Sequence, residues 1–431
     1  MSWLRLQRLR LWWEGAFWVI PLLGILAGYL LDVVSVPIDE ALALDAEATG
    51  AISPGSAVTL LAAIGGGMIT FTGFVFSVIL LMVQFGSSQY SPRTVSYFLR
   101  ARGMQWVLAV FLATIVFPFL SLIEIGSTAR DEYVPLGSIA ISILLLVVSL
   151  VAFLALIHVV SEKIRVDSVL SALGRRARAD LAQRASVRGL TSAAGPSDEA
   201  PTHDSDAVSI PFTGRPGQVV SINVARLRRV AARRDARIVM RVRVGDAVVT
   251  GTRVAVVEGG RGVRPREVSR CLLVDDERSL RHDPLYALRI LTDVSLRALS
   301  PGINDPTTAV RALDEVEGVL RAAADLPLGT VELEGRRGSV VLRGPTWADI
   351  LALALLEVIA FGADQPQVTR RLTAMLDDLA DEVPEHRRPA VQEYRSRLAD
   401  RVAAVVPEAD RATALSPDLQ GIGGSRSART A

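Results

Sequence analysis

The sequence predicts an α-helical membrane domain of four transmembrane helices, followed by a cytoplasmic α+β region in which a small barrel-sandwich-like β module precedes a helical domain. Three observations carry this. Nearly all long uncharged apolar runs lie before residue 161. Arginines alternate between the loops that join those runs. After residue 206 the apolar pattern is first strand-like and then helical. The expected boundaries are a transmembrane domain at 1–165, a basic juxtamembrane segment and flexible linker at 166–206, a β-rich module at 207–275, a helical domain at 276–406 and a disordered tail at 407–431.

Four segments are long and apolar enough to cross a hydrocarbon core of about 30 Å. They run from Ala16 to Val36, Ala57 to Val83, Gln105 to Ile125 and Leu136 to Val160. The first is too long for a cleaved signal peptide and has no small-residue cleavage site. Arg5, Arg8 and Arg10 flank it, with Trp3, Trp12, Trp13 and Trp18 as interfacial anchors. The first loop holds Asp39, Glu40, Asp45 and Glu47 and no Lys or Arg; the second holds Arg93, Arg100 and Arg102. Beyond the fourth span come Lys163, Arg165, Arg175, Arg176 and Arg178. That alternation places both termini in the cytoplasm of a bacterial inner (plasma) membrane.

The second span carries Gly66, Thr70, Gly73, Ser77 and Gln84 at spacings of three, four and seven, hence on one helix face. Such a stripe serves either as a helix-packing seam or as the lining of a hydrated pore or substrate path. A path also implies a homo-oligomer, because four spans from one chain supply few walls. Glu124 and His158 sit near span ends, and Pro118 is expected to kink the third span.

From Ser186 to Asp206 the chain turns to Ser, Ala, Gly, Pro and acidic residues, the composition of a linker. Residues 208–257 then read as short β-branched strands, with a Gly245-Asp246 turn. The run RVRVGDAVVTGTRVAVVEG is similar to half of a barrel-sandwich hybrid, but no lysine stands at a hairpin tip, so a swinging-arm carrier is excluded. Eight arginines fall between Arg226 and Arg243. They read first as a solvated helix face, second as a contact for anionic lipid through Arg226, Arg229 and Arg233. Nucleic acid ranks last, because no aromatic is interleaved.

Helical periodicity resumes at Asp283 with Leu285, Leu288, Leu291 and Val294, and Arg289, Asp293 and Arg297 form a ladder spaced by four. SPGIND stops this helix, and Asp305-Pro306 starts the next. Thr346 caps an apolar helix ending at Gly362, too short to span a bilayer, and two amphipathic helices follow at Val368–Leu379 and Val391–Val402.

Two long motifs, GGGMITFTGFVFSVILLMVQFGSSQYSPR and DPLYALRILTDVSLRALSPGINDPTTAVRALD, make the chain similar to a bacterial family of predicted membrane proteins, domain of unknown function 2254. The resemblance covers most of the chain and implies the same plan of four spans and a cytoplasmic domain. It brings no activity, cofactor or catalytic residue. The matching positions are Ser91, Pro92 and Arg93, then Asp283, Pro284, Arg289, Asp293, Arg297, Ser300, Pro301, Gly302, Asn304, Asp305 and Thr308.

Asp283, Asp293, Asn304 and Asp305 have the oxygen chemistry of a hard-cation site. Each also has a local use as cap, ladder or turn residue. One cysteine, Cys271, excludes an intramolecular disulfide framework and Cys-rich metal sites, and four scattered histidines without an HxxxH pair argue against a His-built one. No Walker loop, nucleophile elbow or HExxH appears, so the sequence assigns no catalytic residue and no cofactor. Two functions stand: an oligomeric channel or transporter with a cytoplasmic gating or vestibule domain, and a membrane-anchored cytoplasmic ligand-sensing or scaffold protein. An enzyme ranks third.

Overall fold

Long apolar stretches without a buried polar partner fold as helices, because a helix satisfies its own backbone groups. Four such helices open the computed structural model, which describes residues 16–46, 53–89, 102–127, 134–186, 207–260, 262–278 and 283–422. They are α1 (Val19–Ala46), α2 (Pro54–Gln89), α3 (Arg102–Ser127) and α4 (Leu136–Ile164). Each contains a stretch of 21 to 28 residues long and apolar enough to cross a membrane. The chain divides into two units, Met1–Arg165 and Val166–Ala431.

In the first unit, α2 turns Ala57, Leu61, Ile64, Met68, Val75, Ile79 and Met82 inward. Phe71 meets Phe111 at 5.6 Å and Phe153 edge-on at 4.9 Å, a favourable arrangement of ring quadrupoles. Helices α1 and α3 cross closely. A Cβ on Gly24 would stand 2.0 Å from the Ala109 carbonyl oxygen, so only glycine admits that approach. Helix α3 runs through Pro118 without interruption.

The second unit begins with α5 (Val166–Ser186). Its inner face, Val169, Leu170, Leu173 and Ala177, is buried. The basic juxtamembrane segment expected to open 166–206 is this helix over 166–186, where apolar residues at helical spacing find a partner; the expected linker from 187 to 206 lies outside the described residues.

Two sheets follow. The elements are β1 (Val208–Pro211), β2 (Gly217–Ile222), α6 (Val224–Arg234), β3 (Arg237–Met240), β4 (Ala247–Val248), β5 (Arg253–Glu258), α7 (Pro265–Ser269) and β6 (Leu272–Asp275). Next come α8 (Pro284–Ala298), α9 (Pro306–Ala324), β7 (Thr330–Glu334) and β8 (Ser339–Arg343). The three-stranded sheet has the order β4-β2-β6, and the five-stranded one β1-β5-β3-β8-β7. Strand β8 pairs parallel with β3, Ile238 opposite Val340. A β module closed within 207–275 is thus corrected: its larger sheet is completed by a hairpin from the stretch expected to be wholly helical. Arg237 ties that sheet together, reaching Glu258 on β5 at 2.5 Å and Glu332 on β7 at 2.9 Å. This pairing holds the Glu332 carboxyl below its ordinary range.

The remainder is helical. Thr346 caps α10 (Trp347–Leu351) through a capping box, and a π-helical turn at Ala352–Leu356 leads into α11 (Glu357–Gly362). The buried Thr292 hydroxyl donates to the Leu353 carbonyl at 3.2 Å, a partner for a carbonyl displaced by the widened turn. Helices α12 (Pro366–Glu382), α13 (Arg388–Val405) and α14 (Glu408–Ala414) complete the unit. The expected disordered tail at 407–431 is corrected up to residue 422: Arg411 donates to the Ala403 and Val406 carbonyls, and Arg370 donates to Thr413.

Candidate functional site

In the first unit the structure places the stripe of α2 on the side away from its neighbours. Gly66, Thr70, Gly73, Ser77 and Gln84 are all exposed. A Cβ on Gly66 or Gly73 would meet nothing within 4 Å. The Thr70 hydroxyl donates to the Gly66 carbonyl at 3.4 Å and the Ser77 hydroxyl to Gly73 at 3.0 Å. The stripe therefore packs no helix of its own chain, while its hydroxyls are satisfied within α2. Gly24 and Gly28 of α1, by contrast, do pack closely, a Cβ on either meeting the α3 backbone.

The same unit holds a polar cluster that sequence reasoning misread. Asp39, counted there as a loop acid, lies within α1 and is fully buried. Its carboxylate accepts from the Gly137 amide at 2.6 Å, the Ser138 amide at 3.1 Å and the Ser138 hydroxyl at 2.5 Å. It thus caps α4, supplying acceptors to amides that have no partner in the first turn. The Ser35 hydroxyl lies 3.1 Å from that of Ser138.

In the second unit the family-like motif folds as two capped helices. Asp283 is buried at the N-terminus of α8, accepting from the Tyr286 amide at 3.2 Å and from Arg278 at 2.6 Å. Arg289 pairs with Asp293 and with Glu357, both at 2.7 Å. The Ser300 hydroxyl donates to the Arg297 carbonyl at 2.7 Å. Asn304 takes the left-handed conformation (φ 48°) that a tight reversal requires. Asp305 then caps α9, accepting from the Thr308 amide at 3.0 Å and hydroxyl at 2.5 Å.

These carboxylates do not converge. Asp283 and Asp305 flank opposite ends of α8, whose 15 residues span about 22 Å. Among the described residues no group of three or more His, Cys, Asp or Glu is placed to hold a metal. Asp283 and Asp305 are engaged by their own helix termini and Asp293 by Arg289, in keeping with the local structural uses expected of them. Ser91, Pro92 and Arg93 lie outside the described residues. Replacing Asp305 with alanine is expected to cost about 0.5–2 kcal/mol through loss of the cap. Thermal melting of the full chain checks this, and an unchanged melting temperature would reject the capping role.

Sequence reasoning also missed a buried charge network. Arg371, 4% exposed, donates to Asp314 at 2.8 Å and to Glu317 at 2.5 Å. Burial opposes its charge, and the two carboxylates more than offset that, so it is held more firmly protonated than an ordinary arginine. Glu317 also accepts from Arg321 at 2.5 Å, and Arg311 bridges Asp314 to Asp167 of α5. Arg178 of α5 reaches Glu315 at 2.9 Å. Only the i, i+3 and i, i+4 spacings within α9 were readable; the partners on α5 and α12 are far away in sequence.

Cys271 is fully buried, and burial pushes its thiol up to about 11, which leaves it a small core hydrophobe. Of the arginines expected to meet anionic lipid, Arg226 is half-buried and Arg229 and Arg233 are exposed on α6.

Comparison with known proteins agrees with this plan. The chain is 29% identical over 427 residues to the uncharacterized protein Mb1321c of Mycobacterium bovis, covering 93% of this chain and 79% of the relative. Uncharacterized protein Rv1290c of Mycobacterium tuberculosis is similar to the same extent, at 29% over 427 residues with the same coverage of 93% and 79%. No solved structure matches. The family described as "Predicted membrane protein (DUF2254)" matches residues 14–378, which include all four candidate spans and most of the second unit. The chain belongs to the DUF2254 family of predicted membrane proteins.

Proposed function

We propose that the protein is a homo-oligomeric channel or transporter of a bacterial inner membrane, with α2 facing a path between copies and the second unit serving as vestibule or gate. The observation that carries this reading is the exposed stripe Gly66, Thr70, Gly73, Ser77 and Gln84. A line of small and polar residues turned away from its own bundle is poorly suited to lipid tails, and suits either close approach of a second copy or water. The arginine distribution supports cytoplasmic termini. A gating role draws support from α5, which starts two residues after α4 ends and is ion-paired to α9 through Arg178 and Arg311. A second reading, a membrane-anchored sensor of a cytoplasmic ligand, is favoured by Arg229 and Arg233 of α6, which are exposed, form no ion pair among the described residues and also fit anionic lipid.

Single cysteines at positions 64–84 test the first reading, with the buried Cys271 silent in the background. In the reconstituted full chain, a small charged thiol reagent is expected to label positions 66, 70, 73 and 77 and to alter ion flux there. Labelling that spares this face, together with bulky substitutions at Gly66 or Gly73 that dissociate the oligomer, would make α2 a contact between copies without a path. Silent cysteines with no flux for any common ion would leave the sensor reading.

A further inference from the structure

The second unit pairs many of its arginines. Arg234 meets Glu267, Arg237 meets Glu258 and Glu332, and Arg243 meets Asp349. Three others form no ion pair among the described residues and share one concavity: Arg228 and Arg229 of α6, and Arg336 in the turn between β7 and β8. The groove they line has a volume of about 230 Å³.

Its walls are fixed by the fold. Gly338 has φ +70°, and a Cβ there would stand 2.5 Å from the Ala236 carbonyl oxygen and 2.7 Å from that of Ala231. Glycine therefore presses the turn against the end of α6 and sets Arg336 opposite that helix. Arg228 donates to the Glu334 carbonyl at 3.0 Å, which fastens α6 to the hairpin. Arg229 spends one N–H on the Ala225 carbonyl at 3.2 Å. A guanidinium carries five N–H donors, so most of those in the groove remain for a ligand.

We propose that this groove binds the phosphate group of an anionic ligand. Guanidinium forks match phosphate oxygens in geometry and charge. The volume is below the roughly 300–1,000 Å³ of pockets for drug-sized ligands, so the groove takes a phosphate with a short substituent. No aromatic side chain lines it, which leaves no platform for stacking a base. Such chemistry is offered by a soluble phosphorylated compound or by a phospholipid headgroup. The site stands on its own geometry, whether or not α2 lines a path.

The test uses the full chain in neutral detergent, titrated calorimetrically with inorganic pyrophosphate and separately with dihexanoylphosphatidylglycerol. Saturable binding is expected for at least one probe, weakened at least about tenfold in the Arg229→Gln/Arg336→Gln variant. Arg253→Gln, an exposed arginine on β5, should bind as the parent does. Arg336→Lys keeps the charge without the fork and should fall between them, so the proposal stays testable if the double variant melts early. Pyrophosphate binding alone identifies a soluble ligand, and lipid binding alone a headgroup. No saturable binding of either probe, or binding that both variants leave unchanged, overturns the site.

Discussion

Replacing Arg371 with methionine is expected to destabilise the second unit by about 3–5 kcal/mol, because it strands carboxylates in a buried site. Among the described residues, Glu317, 7% exposed, would keep Arg321, while the half-buried Asp314 would keep the more exposed Arg311. Lost packing is small, since methionine fills most of the aliphatic volume; the loss is electrostatic. Thermal melting of the full chain in detergent should show a fall of roughly 10 °C. Adding Glu317→Gln to the variant should recover part of it, because the stranded charge is removed together with its partner. A melting temperature within 2 °C of the parent would mean that water already solvates this network (about 1 kcal/mol or less for a unit of this size).

Arg387→Gln should cost about 3 kcal/mol or more, for a different reason. The buried guanidinium donates to the carbonyls of Ala323 at 2.8 Å, Ala324, and Leu326 at 2.6 Å. These are end carbonyls of α9 and its exit turn, and the Ala323 carbonyl also accepts from the Leu326 amide at 3.2 Å. Its planar face also lies over the Trp347 ring, 5.4 Å from the centroid, joining α9 to α10. Glutamine is too short and offers two donors in place of five. Lysine restores the charge but not the fork, so Arg387→Lys should regain less than half of the lost melting temperature. Full recovery by lysine would show that charge near the helix end is sufficient.

What was legible in the sequence depended on how local its cause is. The four spans follow from length and apolarity alone. The motif around SPGIND was legible because a cap is a contact over three residues: Asp283 to Tyr286 and Asp305 to Thr308. Strands β7 and β8 were not, although TVELE alternates, because what holds them is a pairing with β3 far upstream. The helix at Glu408–Ala414 was hidden for the same reason: its composition is that of a tail, and its order comes from Arg370 and Arg411. The stripe on α2 was visible as a pattern, but only packing shows which way it faces. The groove was half visible, as a run of arginines on α6 lacking its other wall, Arg336.

The parallel pairing of Arg237 with Ser339 has a consequence for how the chain is made. Strand β3 leaves the ribosome about a hundred residues before its neighbour β8, which at roughly 5–20 residues per second is a wait of about 5–20 s. During that time β3 has β5 on one side and an open row of amides and carbonyls on the other, an edge that invites wrong pairing. Helix α5, just past the last apolar span, waits longer still for α9, about 140 residues further on. The nascent chain is thus inserted in the bilayer well before its second unit can close, and crowding among neighbouring ribosomes at the membrane is the stage at which misassembly is most exposed.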